Sequence, residues 1–245
     1  MAIRETLQSP LKLLRGRITG LRKTRRGQEF FLTDADRKKI GATAIAAGLA
    51  GLGGIAVGLS GMAMDTTEEA DLLEFSLDSK PVRAWVWQSV FEEGDEVEIV
   101  AEQWGAHWQG YGIRRLHDKI VALHPHCSRG RYAHYKAAVK LWLKICIPLL
   151  LFMYLLTGAI ALFESTGNWT GIFQMWIAGG SGLMAILGVI GFRISKRYMG
   201  FVSLAEGVFE GFGWTNVKDI DLPKITRKGK APGDPSALGV LYFRY

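Results

Sequence analysis

The sequence predicts an α+β membrane protein with a transmembrane helical hairpin, a Gly/Ala-rich membrane segment and a small antiparallel β-barrel or sandwich. Of the 245 residues, 49% are hydrophobic, yet the formal net charge is +7. The apolar residues gather in three runs of about 20, the length that crosses a bilayer. Short segments of alternating hydrophobicity lie between the first two runs, a pattern typical of β-strands.

The hairpin is predicted over residues 136–193 from two apolar runs, Leu141–Phe163 and Ile172–Phe192. A short polar turn with a tryptophan separates them, as expected at a membrane surface. Positive charge marks the cytoplasmic side, so both outer ends of the hairpin are expected there, and with them the N- and C-termini. The flanking cations are Lys136, Lys140, Lys144, Arg193, Lys196 and Arg197.

The first apolar run, residues 41–63, consists mostly of glycine and alanine and is predicted as a membrane segment. Two interpretations stay open: a single crossing, or a re-entrant or bent segment broken near residues 51–54. The bent form is preferred because a single crossing conflicts with the charge bias of the hairpin. Small residues at every fourth position favour close helix packing on one face. They are Ala46, Ala50, Gly54 and Gly58.

The β domain is predicted over residues 64–135, from five short strand-like runs between 71 and 123. Five such strands suggest a small barrel of OB or SH3 type. The basic segment 1–40 is expected in the cytoplasm and offers two further strands between 15 and 33. Residues 194–245 are predicted to form an amphipathic helix on the membrane surface, a basic loop and a final strand paired with the β domain.

Residues 124–134, "HPHCSRGRYAH", concentrate histidine, cysteine and arginine between the β domain and the hairpin. The spacing of these histidines and the cysteine does not match structural zinc sites, and no acyl-transfer signature surrounds the cysteine. The preferred interpretation is a membrane-anchor elbow, in which Ser128 caps the helix that begins near Gly130 and the arginines face anionic headgroups. The predicted elbow residues are His124, His126, Cys127, Arg129, Arg131 and His134.

No catalytic, cofactor-binding or metal-binding constellation is predicted, and the chain is not expected to be an enzyme. "GLGGIA" at 51–56 formally matches a dinucleotide-binding fingerprint, but no strand precedes it. Glu206 and Glu210 share a helix face, for which a solvated polar surface is expected rather than acid–base chemistry. The basic residues cluster beside the membrane segments, which favours lipid headgroups over nucleic acid as their partner.

The order of landmarks along the chain adds a resemblance. "FFLTDADRKK", the Gly/Ala-rich run, "WVWQSVFEEGDEVEIVAE", "IVALHPHCSRGRYAH", the hairpin and a terminal "YFRY" follow one another. This order resembles a family of proteobacterial membrane proteins described as type VI secretion system effectors, over nearly the whole chain. The resemblance implies a multi-pass protein of the bacterial inner membrane that takes part in interbacterial competition, and it supplies no catalytic residues.

Three functions follow as hypotheses. The first is a membrane-acting, non-enzymatic effector, and the second is a resident immunity or partner-binding membrane protein. The third is a membrane protein that binds a metal through the His/Cys segment. The expected partners are the lipid bilayer, anionic headgroups, and a secretion-system protein or a cognate effector or immunity protein; a homo-oligomer is left open and no cofactor is expected. Partner binding would use the tryptophans of the β domain, Trp85, Trp87, Trp104 and Trp108.

Overall fold

The computed structural model describes residues 10–30, 67–163 and 169–245. They divide into two compact units, a β-barrel within residues 8–125 and 225–245 and a helical unit within residues 126–224. The Gly/Ala-rich run 41–63 lies outside the described residues, and so do residues 164–168 of the turn between the two predicted membrane helices. The predicted packing residues on that run are therefore not described either: Ala46, Ala50, Gly54 and Gly58.

Seven strands form one sheet: β1 Lys12–Glu29, β2 Thr67–Leu77, β3 Lys80–Val86, β4 Glu96–Trp104, β5 His107–Arg115, β6 Ile120–Leu123 and β7 Phe243–Arg244. Neighbouring strands run in the order β3-β2-β1-β4-β5-β6-β7, and β3 also pairs with β5. This extra pairing closes the first five strands into a barrel, so the predicted small barrel is confirmed. Its strand connectivity is that of an OB-fold barrel.

The barrel differs from the prediction in one respect, because it is not wholly antiparallel. The β3–β5 pair is parallel, and the other four pairs of the ring are antiparallel. A ring with an odd number of strands cannot alternate direction throughout, so one parallel pair is a necessary result of closing five strands. At this seam Gly110 leaves room for the approach, since a Cβ there would lie 3.1 Å from the Cβ of Ala84.

The strand β1 contains the first of the two short strands predicted between residues 15 and 33, residues 15–23, whereas most of the second, residues 28–34, lies outside the described residues. Residues 12–17 pair with β4 and residues 18–29 pair with β2, with a register shift between Thr19 and Arg22. Gly20 lies at this shift with φ +66°, a left-handed conformation that glycine adopts at little cost. The Glu93 carboxylate accepts hydrogen bonds from the amides of Gly20 and Leu21, both at 2.8 Å. The first part of the bent strand β1 therefore pairs with β4 and the remainder pairs with β2.

The barrel core consists of apolar side chains from alternate strand positions, which point to one face of the sheet. A fully buried large apolar side chain contributes roughly 1.5–3 kcal/mol relative to an exposed one, so this core is the main source of the barrel's stability. The most enclosed side chains are Ile18, Leu73, Leu77, Phe91, Ile99 and Ile113.

The helical unit is built on two long helices, α1 Arg131–Phe163 and α2 Trp169–Arg197. They are followed by α3 Met199–Gly211, a short 3₁₀ turn Val217–Asp219, and α4 Leu222–Lys228, whose last residues fall in the barrel unit. The long helices extend beyond both ends of the hairpin predicted over 136–193, because the helical conformation continues into the basic flanks.

The helices α1 and α2 pack as an antiparallel pair. Near the start of α1, His134 Nε2 shares a hydrogen bond of 2.9 Å with Ser195 Oγ near the end of α2. Farther along, the Tyr154 ring stacks on Trp176 with centroids 5.1 Å apart, and the Tyr154 hydroxyl donates to the Trp176 carbonyl at 2.8 Å. The Trp176 indole in turn donates to Thr157 Oγ1 at 2.7 Å. These polar groups satisfy one another inside the pair.

The helix α3 differs from the prediction of an amphipathic helix on the membrane surface. Eight of its residues are buried, among them the apolar Phe201, Leu204 and Val208 and the acidic Glu206. A helix that is enclosed on most of its faces belongs to the interior of a folded unit rather than to a lipid surface. The expectation that Glu206 would lie on a solvated face is wrong, since its exposed fraction is 3%.

A charge network on the barrel centres on Arg115, which donates to Asp118 at 2.7 Å and to Asp95 at 3.0 Å. Asp118 also accepts a hydrogen bond from the Ile120 amide at 3.2 Å. Partial burial alone would raise the pKa of Asp118, but the Arg115 hydrogen bond and the Ile120 amide outweigh it, so the pKa is lowered. The folded barrel therefore favours the ionised carboxylate.

We expect Asp118→Asn to lower the free energy of unfolding at neutral pH by about 2 kcal/mol, because a charge-assisted hydrogen bond is lost. The folded-state pKa lies below the unfolded value of about 3.9, so this contribution is complete above that value and is lost as the pH falls through the folded-state pKa. The difference between wild type and variant, measured by thermal unfolding of the full chain, should therefore shrink in acid. Glu92→Gln, which alters an exposed carboxylate, is the control. A difference that stays constant into strong acid would contradict this account.

Candidate functional site

The most conspicuous surface of the molecule is the apolar exterior of α1 and α2. Both helices are long and apolar enough to cross a membrane. Of the most apolar 18-residue stretch of each helix, only 11% in α1 and 6% in α2 is buried inside the protein. Among the exposed side chains, Phe163 is 90% exposed, Leu155 74% and Ile186 61%. Contiguous exposed apolar surface of this size marks a protein or membrane contact.

All the charged side chains of α1 and α2 lie at one end of the pair. Because α1 and α2 are antiparallel, the first turns of α1 meet the last turns of α2, and neither helix contains an aspartate or glutamate. The basic end is therefore uncompensated within the two helices, which is the distribution that anionic headgroups attract. Its cations are Arg131, Lys136, Lys140, Lys144, Arg193, Lys196 and Arg197.

The structure does not bring the six predicted elbow residues into one site. His124 belongs to the barrel unit, and its ring lies 5.3 Å from Phe30 and 6.0 Å from Tyr111. The other five belong to the helical unit. Among the described residues, no three His, Cys, Asp or Glu side chains are grouped closely enough to hold a metal ion.

Two of the elbow residues are enclosed by the helical unit. Cys127 is 1% exposed, and burial raises the pKa of its thiol well above the usual range. A thiol held in the protonated form is a poor nucleophile, so the geometry argues against covalent catalysis here. His126 adopts φ +67°, and its ring packs 5.2 Å from Phe201 and 5.7 Å from Tyr198. It occupies an aromatic pocket within the protein.

The first turn of α1 is capped by a residue far away in the sequence. The Arg131 amide donates to Glu206 Oε1 at 2.8 Å, and the Arg131 guanidinium lies 3.4 Å from Glu206 Oε2. A carboxylate at this position satisfies an unpaired amide and interacts favourably with the helix dipole. Ser128, the predicted cap, instead offers its backbone carbonyl to the Leu222 amide at 3.2 Å.

The chain just before α1 is held equally closely. The Gly130 amide donates to the Ile220 carbonyl at 2.9 Å, and a Cβ at Gly130 would collide with the Val217 carbonyl. Arg129 pairs with Asp221 at 3.2 Å. The two arginines that sequence reasoning assigned to headgroups, Arg129 and Arg131, therefore each have a carboxylate partner inside the protein.

Sequence reasoning missed Glu206 and Asp221 as partners of these arginines. The available signal was a single acid within the apolar stretch "FVSLAEGVF", since an isolated carboxylate among apolar residues needs a partner. Lys136 also lies 3.3 Å from Asp219, but both side chains are more than half exposed. An exposed pair of this kind contributes little to stability.

The barrel carries a separate open groove of about 400 Å³. Arg22, Arg83, Glu74 and His107 contribute its charged and titratable groups. Arg83 Nε is enclosed without a hydrogen-bond acceptor and lies 3.6 Å from Glu74 Oε1. The groove therefore presents mixed charge, with the cations in excess.

The tryptophans predicted to form a binding surface on the barrel are only partly available. Trp104 is 48% exposed, whereas Trp85, Trp87 and Trp108 are half-buried. Trp108 packs against the barrel core, with Lys12 Nζ 6.0 Å from the centre of its ring. Of the four, Trp104 is the one that offers a largely open aromatic face.

We expect Glu206→Ala to destabilise the helical unit by about 3 kcal/mol, because it leaves the α1 amide and the Arg131 guanidinium without their buried partner. Glu210→Ala is the matched control: the same chemical change, one turn along α3, at an exposed position. It should cost at most about 0.5 kcal/mol. Thermal unfolding of the full chain in detergent measures both, and equal losses would contradict the capping role of Glu206.

No family model, curated protein or solved structure matches the chain. A function must therefore be inferred from the chemistry of three features: the apolar hairpin, its basic end and the barrel groove.

Proposed function

We propose that this protein is a non-enzymatic protein of the bacterial inner membrane, held in the bilayer by α1 and α2. The observation that supports the proposal most is the exposed apolar surface of both helices. In water, apolar surface costs roughly 25 cal/mol per Å², and lipid removes that cost. Both segments are helical, so their backbone groups pair within each segment as hydrocarbon surroundings require, with Pro148 of α1 as a position that has no amide to donate.

The charges support one orientation of the hairpin. Basic residues are retained on the cytoplasmic side, so the end that carries Lys140 and Arg193 is placed in the cytoplasm. The opposite end begins with Trp169, whose ring is 48% exposed. Tryptophan is enriched at the membrane–water interface, so this end is placed at the periplasmic surface.

The orientation predicts the labelling of two single cysteines by a membrane-impermeant thiol reagent. Trp169→Cys should react in intact cells, whereas Lys218→Cys, an exposed position of the helical unit, should react only after the inner membrane is opened. The native Cys127 and Cys146 are each 1% exposed, so their background is low. Equal labelling of both positions in intact cells would contradict the proposed orientation.

Within that membrane we propose a role in interbacterial competition, as the resemblance to type VI secretion effectors implies. A membrane-acting effector is supported by the exposed flanks of the hairpin, on which further copies can pack. A resident immunity or partner-binding protein is the second candidate. It is supported by the charged groove of the barrel, which offers Arg22 and Arg83 to a partner.

Induced expression with a membrane-potential dye separates the two roles. The effector role predicts loss of potential and of growth. Leu155→Lys should abolish this effect, because a lysine at the centre of a membrane helix costs about 2.5–3.5 kcal/mol on insertion. Leu155→Ile is the conservative control and should keep it. Unchanged potential and growth with the wild-type chain would contradict the effector role. If this protein then suppressed the toxicity of a neighbouring gene's product, that result would support the immunity role.

A further inference from the structure

A groove runs along one side of the hairpin near its basic end. It encloses about 720 Å³, and its walls are mainly apolar. We call it the hairpin groove and define it by six lining residues. They are Trp142 of α1 and Met184, Gly188, Val189, Arg193 and Lys196 of α2.

The groove exists because a large side chain on one helix faces a small residue on the other. Gly188 has no side chain, and even an added Cβ there would lie 3.7 Å from the Trp142 indole. The indole therefore lies against α2 and forms one wall. Met184 and Val189 continue the lining toward the middle of the helix. The result is a mainly apolar trough that is open to the surroundings of the hairpin.

The cytoplasmic end of the trough carries two cations. Arg193 and Lys196 lie one turn apart and are exposed, and Lys196 Nζ lies 5.2 Å from the Phe192 ring. Three carboxylates of the described part of the helical unit pair with other cations: Glu206 with Arg131, Asp219 with Lys136 and Asp221 with Arg129. The groove thus combines an apolar body with an unneutralised cationic end.

We propose that the hairpin groove binds one anionic phospholipid, with its phosphate at Arg193 and Lys196 and an acyl chain along Met184 and Val189. The inference rests on the proposed membrane location. A phosphate alone would satisfy the cations and leave the trough unfilled. A zwitterionic lipid would bring its own cation toward Arg193 and Lys196. An anionic lipid matches both ends of the site, and basic pockets between membrane helices bind such headgroups.

The test uses the full chain in phosphatidylcholine vesicles that contain an equal fraction of brominated phosphatidylglycerol or brominated phosphatidylcholine. Bromine quenches nearby tryptophan, and the signal of Trp142 is the difference between wild type and Trp142→Phe. We expect the anionic lipid to occupy the groove about 30-fold more strongly than the zwitterionic one, since the two cations near the surface together contribute about 2 kcal/mol. Inorganic phosphate should not displace it.

Two double variants with the same loss of charge make the test specific. Arg193→Gln/Lys196→Gln should reduce the lipid preference at Trp142 to about onefold, since the headgroup site is gone. Lys140→Gln/Lys144→Gln removes two exposed cations of the same basic end that do not line the groove, and it should keep most of the preference. Both variants change exposed side chains, so both are expected to fold.

Three outcomes would overturn the inference. Equal quenching of Trp142 by the two lipids in the wild type would mean that the groove does not select anionic lipid. Displacement by inorganic phosphate would assign the cations to a free anion. Absence of tryptophan quenching by either lipid would mean that the hairpin is not in the bilayer. Of the three outcomes, only the absence of quenching would also refute the proposed membrane location. A failure of the lipid site can therefore be distinguished from a failure of the proposed function.

Discussion

Water cannot surround the hairpin without a large cost, and the arrangement of the helical unit follows from this constraint. The helices α1 and α2 contact each other along one face, through Tyr154, Trp176 and small residues, and leave the other faces apolar. Every charged side chain of the pair is confined to one end. This separation is the one expected if hydrocarbon surrounds the length of the hairpin and aqueous headgroups surround its basic end.

The start of α1, at the basic end of the hairpin, is fixed by contacts within the helical unit. A buried carboxylate such as Glu206 loses several kcal/mol of hydration, and it is retained only where charge and hydrogen bonds compensate for the loss. Arg131 supplies both an amide and a guanidinium, and the start of α1 supplies the positive end of its dipole. Gly130 fits against the Val217 carbonyl, and Arg129 pairs with Asp221. The start of α1 is thus held by other residues of its own unit, and the cations farther along both helices are exposed.

Much of this architecture could be predicted from the sequence, because its signals are local. Runs of about 20 apolar residues predicted the two long apolar helices, and alternation predicted the small barrel. Nonlocal features could not be predicted in this way. The bend at Gly20 falls inside a single expected strand, residues 15–23, and the parallel β3–β5 pair is a consequence of ring closure rather than of either strand's composition. The segment 124–134 looked like one elbow because its residues are adjacent in sequence, yet His124 joins the barrel while Arg131 pairs with a glutamate 75 residues away.

The account depends on the hairpin lying in lipid, and vesicle flotation after an alkaline carbonate wash tests this most directly. Alkaline carbonate strips peripheral proteins, and the density gradient separates lipid-embedded chains from free ones. The account predicts that the full chain floats with the vesicles and that Leu155→Lys floats less completely. Recovery of the wild-type chain in the aqueous fraction, monodisperse without detergent, would contradict it.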